Sequence, residues 1–313
     1  MTLLYADPRF QQHVTGSHPE HPRRLIAIEA HLEATGLIRR VAPGTVRLAT
    51  AHELERVHDP PYIDEVQRYA AAGGGRIEAD TVVCPKSFEV ARLAAGAVCE
   101  AVRQVLAGPQ RAALCLVRPP GHHARPHDAM GFCLFNNVAI GARTALDEGG
   151  LARVLIVDWD VHHGNGTQEM FWEDGRVGFL SIHRWPFYPG TGDEDEVGSG
   201  PARGMIRNLP ITYGTPVAEY HARFERALAE LARRVAPELV LISAGFDAHR
   251  EDPIGSLDLE VDDFRRLTRT VLAVAAEYSQ GRVVSVLEGG YHPQRLAECV
   301  GVHLEELLAA DAP

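Results

Sequence analysis

The sequence predicts an α/β fold on a mostly parallel sheet covered on both faces by helices, and three observations carry that expectation. Runs rich in Val, Ile and Leu recur at residues 112–117, 154–157, 177–182, 239–242 and Val283–Leu287. Their continuous hydrophobicity is that of strands buried on both sides, not the alternation of strands that face water. Segments of helical periodicity lie between them, over residues 88–106, Val217–Val235 and Val261–Tyr278, and strands alternating with helices build parallel sheets. Third, each run ends in a polar tail: RPPGHH, DWDVHHGNG, His183, SAGFDAH and EGGY. In this architecture ligands bind in the crevice at the carboxyl ends of strands, so five such tails point to one shared site.

The chain has 313 residues, 45% of them hydrophobic, enough for one large core, and one domain over residues 1–313 is expected. Residues before about 82 are read as an N-terminal helical part and rim. No repeat, low-complexity tract or linker stands out; residues 71–75 suit a flexible turn and 190–201 a long acidic loop. Asp262 and Asp263 at the start of the last helical segment suit a helix N-terminus. A formal charge of -11 argues against a general nucleic-acid binder, which needs a basic footprint. Lys86 is the single lysine, and no function is drawn from that. Cys84, Cys99, Cys115, Cys133 and Cys299 form no CxxC pair and read as reduced, mostly buried thiols. The start, MTLLYADPRF, lacks the plan of a secretory signal, and no apolar run approaches the roughly 20 residues of a membrane span. A cytoplasmic protein with no membrane partner is expected.

The tails carry the chemistry. Asp160 and His162 are two residues apart at a strand end, and alternate side chains on an extended segment share a face, so both can reach one ion. A third ligand must come from another strand, and Asp247 stands at the tail of the next-but-one apolar run. Two carboxylates and an imidazole suit Zn²⁺ with a position left open for catalysis; Fe²⁺ fits the same donors. Alone, such a DxH pair is more readily two polar residues ending a strand. His122 and His123 follow Pro119, Pro120 and Gly121, a rigid turn that can present two imidazoles to one cavity. Mere turn capping would leave Asp158 and Asn165 unexplained, since each can accept an imidazole N–H and fix its tautomer. Tyr291 follows two glycines that let a phenol approach the open metal position; by itself such a tripeptide is usually a turn with a packing aromatic. Phe132 and Tyr188 could wall a narrow apolar channel, although aromatics near a core commonly just pack. His163 reads as a structural neighbour, because adjacent strand residues face opposite ways. His13, His18, His21, His52 and His58 are assigned to the rim or surface.

Taken in order, RPPGHHA at 118–124, GFCLFNN at 131–137, DWDVHHGNGTQ at 158–168, PGTG at 189–192, SAGFDAH at 243–249 and LEGGY at 287–291 resemble the zinc-dependent histone deacetylase family. Within it they are similar to the class II-like bacterial deacetylase and acetylpolyamine amidohydrolase group. These motifs are highly specific and span nearly the whole chain. The resemblance implies the arginase-deacetylase fold, a central parallel eight-stranded sheet flanked by helices on both faces. It implies an ion held by Asp160, His162 and Asp247, in agreement with the reading of the residues. It also implies that His123 is the general base and then acid, that His122 is its electrostatic partner, that Asp158 and Asn165 orient the two imidazoles, and that Tyr291 binds the oxyanion. Asn165 marks the class II-like branch; an amide raises the basicity of His123 less than a carboxylate would. Gly131 and Ile254 join Phe132 and Tyr188 along the implied channel. Ile254 follows Asp252 and Pro253 where the spermidine-selective branch carries Glu, a departure that weighs against polyamine selectivity. A structural K⁺ is implied near Asp158, Asp160, His162, Ser181 and Ile182, and a second near Phe171, Asp174 and Val177.

The activity expected is hydrolysis of an acylated amine by metal-activated water, with His123 as base and acid and Tyr291 as oxyanion donor. Acetyl-lysine in a peptide, an acetylpolyamine, a small metabolite or a longer acyl amide all fit, and histones are not assumed. Two other classes compete: a non-catalytic acyl-amine binding protein, and a two-metal arginase-like hydrolase, which needs bridging carboxylates beside His122 and His123.

Overall fold

The computed structural model describes residues 1–311. Its strands are β1 (Leu3–Tyr5), β2 (Ala42–Pro43), β3 (Gly75–Arg76), β4 (Val82–Val83), β5 (Ala112–Cys115), β6 (Val154–Asp158), β7 (Val177–Arg184), β8 (Ile206–Ile211), β9 (Leu239–Ala244) and β10 (Val283–Leu287). Strands β3 and β4 make a small antiparallel ribbon. The other eight form one parallel sheet of order β2-β1-β5-β10-β9-β6-β7-β8. Every residue of β5, β6, β9 and β10 is buried, which is why these strands read as unbroken hydrophobic runs.

The helices are α1 (Arg23–Ala34), α2 (Ala51–Glu55), α3 (Pro60–Ala71), α4 (Ser87–Ala107), α5 (Asn137–Arg143), α6 (Asn165–Met170), α7 (Val217–Val235), α8 (Val261–Tyr278) and α9 (Pro293–Ala310). One layer packs α4 on β1, β5 and β10 and α5 on β6 and β9; the other packs α7 on β6, β7 and β8, α8 on β9 and α9 on β5, with α1 against α9. Helix α8 opens on a capping box between Glu260 and Asp263, which gives the acidic start its physical purpose.

The chain runs outward from β6 through β7 to β8, then returns to lay β9 on the other side of β6. The strand order reverses between β6 and β9, and a crevice opens at their carboxyl ends. There Asp158 stands level with Ser243 of β9 and Ser181 of β7.

The N-terminal region is largely helical, as expected, in α1, α2 and α3, but it also supplies two strands to the main sheet. Strand β1 is an interior strand, paired with β5 on one side and β2 on the other; at three residues it is too short to show a period. Strand β8 also went unanticipated, because exposed Arg207, polar Asn208 and Pro210 interrupt its apolar residues, and an edge strand tolerates the proline. Nor are all the early histidines at the rim. His13 and His58 are buried; His58 bonds the Arg125 carbonyl through Nδ1 at 2.9 Å and accepts the Asn136 N–H at Nε2 at 2.9 Å.

His13 belongs to a buried ion cluster that fastens the N-terminal segment to the PPGHH tail. Arg118 grips Glu20 with Nε and with Nη2 at 2.7 Å, and donates to the carbonyls of Phe10 and His13. Arg24 and His13 approach the same carboxylate at 3.3 and 3.4 Å. Burial alone would raise the Glu20 carboxyl, but the charge of Arg118, together with His13, holds it well below the ordinary value. Breaking such a pair strands a charge, so Arg118→Met should cost about 3–5 kcal/mol in urea denaturation. A depressed carboxylate contributes its stability above its unfolded value and loses it on acidification. The stability gap between wild type and Glu20→Gln should therefore be full above about pH 5 and narrow below it; a gap that widens in acid would contradict this charge state.

Candidate active site

The sheet delivers Asp158 to the crevice and the chain then bends. Asp160 and His162 are not on an extended segment, because β6 ends at Asp158. They share a side because two carboxylates cap the bend in succession: Asp158 Oδ1 accepts the Asp160 N–H at 3.0 Å, and Asp160 Oδ1 accepts the His162 N–H at 2.9 Å. Asp247 is distant in sequence yet immediate in space, since β9 lies directly beside β6.

One donor atom each from Asp160, His162 and Asp247 lies within 4.8 Å of the others, all three residues buried. His162 Nδ1 is 2.9 Å from Asp160 Oδ1 and 3.3 Å from Asp247 Oδ2. The outer oxygens are anchored: Asp160 Oδ2 accepts the Gly289 N–H at 2.8 Å and Asp247 Oδ1 the Val161 N–H at 2.9 Å. Asp247 Oδ2, though buried, has no hydrogen-bond partner. Burial and the Asp160 charge push the Asp247 carboxyl up to about 7. An orphaned carboxylate oxygen beside an imidazole nitrogen and a second carboxylate is the donor set of a small divalent cation. Gly289 closes the site from β10's tail, where a Cβ would come within 2.1 Å of Asp247 Oδ2.

The paired histidines sit alongside, ring centroids 4.0 Å apart. His122 Nδ1 is 2.9 Å from Asp158 Oδ2, and His123 Nδ1 is 2.7 Å from Asn165 Oδ1. Asn165 is the first residue of α6, not a strand-end residue. Burial disfavours charge on both rings, but Asp158 and Asp160 raise His122 to about 10. Burial and then the charge of His122 hold His123 well below its ordinary value. One ring is thus charged and the other neutral, the separation that assigns different roles to like groups.

Tyr291 is buried, its N–H given to Asp252 Oδ2 at 2.6 Å and its ring under the Arg24 guanidinium at 5.0 Å. Asp252 Oδ1 also accepts the N–H groups of Ile254 and Gly255, at 2.9 and 3.0 Å, so one carboxylate ties Tyr291 to the Ile254 loop. The Phe132 ring meets Tyr291 edge-on at 5.6 Å and His18 at 4.4 Å. Its backbone is left-handed, φ 69° after Gly131 at φ 56°, and is pinned by Thr81 and Asp80, which accept the N–H groups of Phe132 and Gly131. Tyr188 turns its ring toward His123, at 5.2 Å, and His162, at 6.0 Å. His163 points away, bonded to Thr191 and Gln168.

Several contributors lay outside the sequence reading. Phe187 stacks on His162 at 5.2 Å and 16°; beyond it Arg184 lies 4.4 Å from the Phe187 ring and 4.8 Å from that of Tyr213. Glu288 accepts the N–H groups of Gly121 and His122. It sits in the LEGGY motif, where the tyrosine drew attention, and a buried carboxylate in an otherwise apolar strand tail was the available signal. Ser181 and Ile182 lie on β7 beside Asp158. Phe171, Asp174 and Val177 form consecutive turns in which each carbonyl accepts the next N–H. The Asp174 carboxylate is taken by Arg143 at 2.5 Å and Arg176 at 2.7 Å.

Comparison with known proteins gives a consistent picture. The histone deacetylase domain family matches residues 18–307. The chain is 42% identical over 324 residues to the polyamine deacetylase HDAC10 of Homo sapiens, covering 99% of this chain and 47% of that protein, about half its length. It is 36% identical over 298 residues to the histone deacetylase-like amidohydrolase of Pseudomonas aeruginosa, covering 95% of this chain and 78% of the other. The crystal structure of the HDA15 HD domain superposes with a TM-score of 0.94 at 37% identity, over 100% of this chain and 89% of that one.

A divalent ion binding the folded chain alone should stabilise it by about 2.7 kcal/mol at roughly 100 times its Kd. Thermal melts should show that shift in wild type and lose most of it in Asp247→Ala. Equal shifts in both would remove Asp247 from the ligand set.

Proposed function

Because the chain belongs to the histone deacetylase family of metal-dependent deacetylases, we propose that its ion is Zn²⁺ held by Asp160, His162 and Asp247, and that it removes acetyl or another short acyl group from an amine such as acetyl-lysine in a peptide. The observation that carries this reading is the convergence of an orphaned carboxylate oxygen, a second carboxylate and an imidazole nitrogen beside a histidine pair whose Nδ1 atoms meet different partners, Asp158 and Asn165. When bound, the cation supplies Lewis acidity toward the acyl carbonyl and lowers the pKa of water.

The chain's own groups supply the rest. Asn165 Oδ1 accepts from His123 Nδ1, so the neutral ring carries its proton there and leaves Nε2 as the acceptor. His123 Nε2 takes a proton from water as the oxygen attacks the carbonyl carbon, then delivers it to the amine nitrogen as the C–N bond breaks, releasing carboxylate and amine. His122, charged and 4.0 Å away, keeps His123 a weak enough base to give the proton back. Burial keeps the Tyr291 phenol protonated, a hydrogen-bond donor for the oxyanion. Gly131, Phe132, Tyr188 and Ile254 are assigned to the wall that admits a narrow, extended acyl amine.

An acetylpolyamine is the second reading, favoured by the name of the human relative; Ile254 after Pro253 weighs against it. The arginase-like alternative would place bridging carboxylates beside His122 and His123, where one of the two partners is the Asn165 amide. We further assign K⁺ to Asp158, Asp160, His162, Ser181 and Ile182, where buried Asp158 stands level with Ser181 on the neighbouring strand. A second K⁺ at Phe171, Asp174 and Val177 would use carbonyls, since the Asp174 carboxylate is engaged. No helix among the described residues is long and apolar enough to cross a membrane, and we place the protein in the cytoplasm.

Amine release from acetyl-lysine peptide, acetylspermidine, acetylputrescine and longer acyl-lysines tests the reading, with Asp247→Ala as the inactive control. His123→Ala should lower kcat about 10²- to 10⁴-fold and Tyr291→Phe about 10²- to 10³-fold. Near-normal turnover in either variant removes the role assigned, and ligand binding without turnover across the panel favours the non-catalytic acyl-amine binder.

A further inference from the structure

Under the histidine turn lies a buried carboxylate that neither holds the ion nor moves a proton. Glu288 Oε2 accepts the N–H of Gly121 at 2.7 Å and that of His122 at 3.2 Å, while Ser243 donates its hydroxyl to Oε1 at 3.1 Å. Three tails, PPGHH, SAGFD and LEGGY, therefore meet on one side chain. On the other side of the turn the His122 carbonyl accepts the Thr167 N–H at 3.2 Å and the Gly121 carbonyl that of Ala124 at 3.0 Å.

Each imidazole is hydrogen-bonded at one ring nitrogen only, His122 by Asp158 and His123 by Asn165, and His122 Nε2 lies a longer 3.8 Å from Asp160 Oδ1. A ring fixed at one nitrogen can still pivot about that bond unless its Cα is also fixed. The two Cα atoms are consecutive, so a single clamp on the turn serves both. We propose that Glu288 is a positioning residue for His122 and His123 together, acting through the two backbone N–H groups at the root of the turn. Convergent N–H groups form a concavity suited to an oxygen acceptor, and the rest of the carboxyl is satisfied by Ser243.

Geometry and charge can be separated here. In Glu288→Gln the amide oxygen can accept both N–H groups while its NH₂ donates to Ser243 Oγ; Glu288→Ala leaves two buried donors without an acceptor. The kinetic arm of the test rests on the deacetylase reading, and the spectroscopic arm does not. In zinc-loaded protein Glu288→Ala should lower kcat for acetyl-lysine peptide about 10- to 100-fold, the range for groups that orient a metal centre's residues, with one ion per chain retained. KM should stay within about three-fold, and Gln should recover kcat to within about three-fold. The low-field Nδ1–H resonances of His122 and His123 should both move in Ala and both return in Gln. Should Ala fail to fold, Ser243→Ala takes its place, with a smaller kcat loss and movement of the same two resonances expected. Unmoved resonances, movement of one histidine alone, or a Gln variant as impaired as the Ala variant would overturn the proposal. A wild type with both resonances in place that releases no amine refutes the deacetylase reading and leaves the Glu288 assignment to the resonances.

Discussion

The crowding of buried negative charge at one end of the sheet is the constraint on which this structure depends. Asp158, Asp160, Asp247 and Glu288 are all buried at the carboxyl ends of neighbouring strands, where an unpaired charge costs several kcal/mol. The protein meets that cost piecemeal. Asp158 is given an imidazole, Asp160 and Glu288 are given backbone N–H groups, and Asp247 is given one N–H and left with a bare oxygen. That imbalance accounts for most of the local architecture: tight bends that aim N–H groups inward, glycines where a Cβ would strike an oxygen, and a deficit of positive charge that a cation completes.

The same crowding separates the two histidines. Burial alone would leave both neutral. Asp158 and Asp160 charge the one they touch, and that charge in turn suppresses its neighbour. The difference between two adjacent, chemically identical side chains thus arises from which partner each Nδ1 finds, a carboxylate or an amide. Fine positioning of the turn that carries them matters accordingly, because exchange of those partners would exchange the roles.

Most of the central sheet was legible because burial on both faces leaves strands nothing to alternate with: β5, β6, β7, β9 and β10 were all visible as runs. What escaped had no local signal. Three residues of β1 cannot display a period, and β8, an edge strand broken by Arg207, Asn208 and Pro210, looks like the loops around it. In the site, Asp160, His162, Asp247 and the two histidines were readable as residue types at strand ends, although Asp160 and His162 lie on a bend and not on the extended segment that their spacing implies. Phe187, Arg184 and Glu288 were not found, since their contribution is a distance to another element: a stack on His162, a sandwich with Tyr213, a bond to a turn more than 160 positions away. Spacing along a sequence carries no such information. His13 and His58 failed for a related reason, for an interior histidine and a rim histidine look alike until the distant segments that cover them are known.

The sheet order has a consequence for how the molecule is made. Strand β10 is the latest of the eight in chain order, yet it lies inside the sheet between β5 and β9. A chain emerging from the ribosome can pair β6 with β7, and β1 with β5, long before β10 exists, but these halves have no common neighbour until it arrives. Loss of a C-terminal segment that reaches β10 would therefore remove a keystone and not a trimming. Two half-sheets with open, apolar edges would remain, the kind of surface that associates with copies of itself.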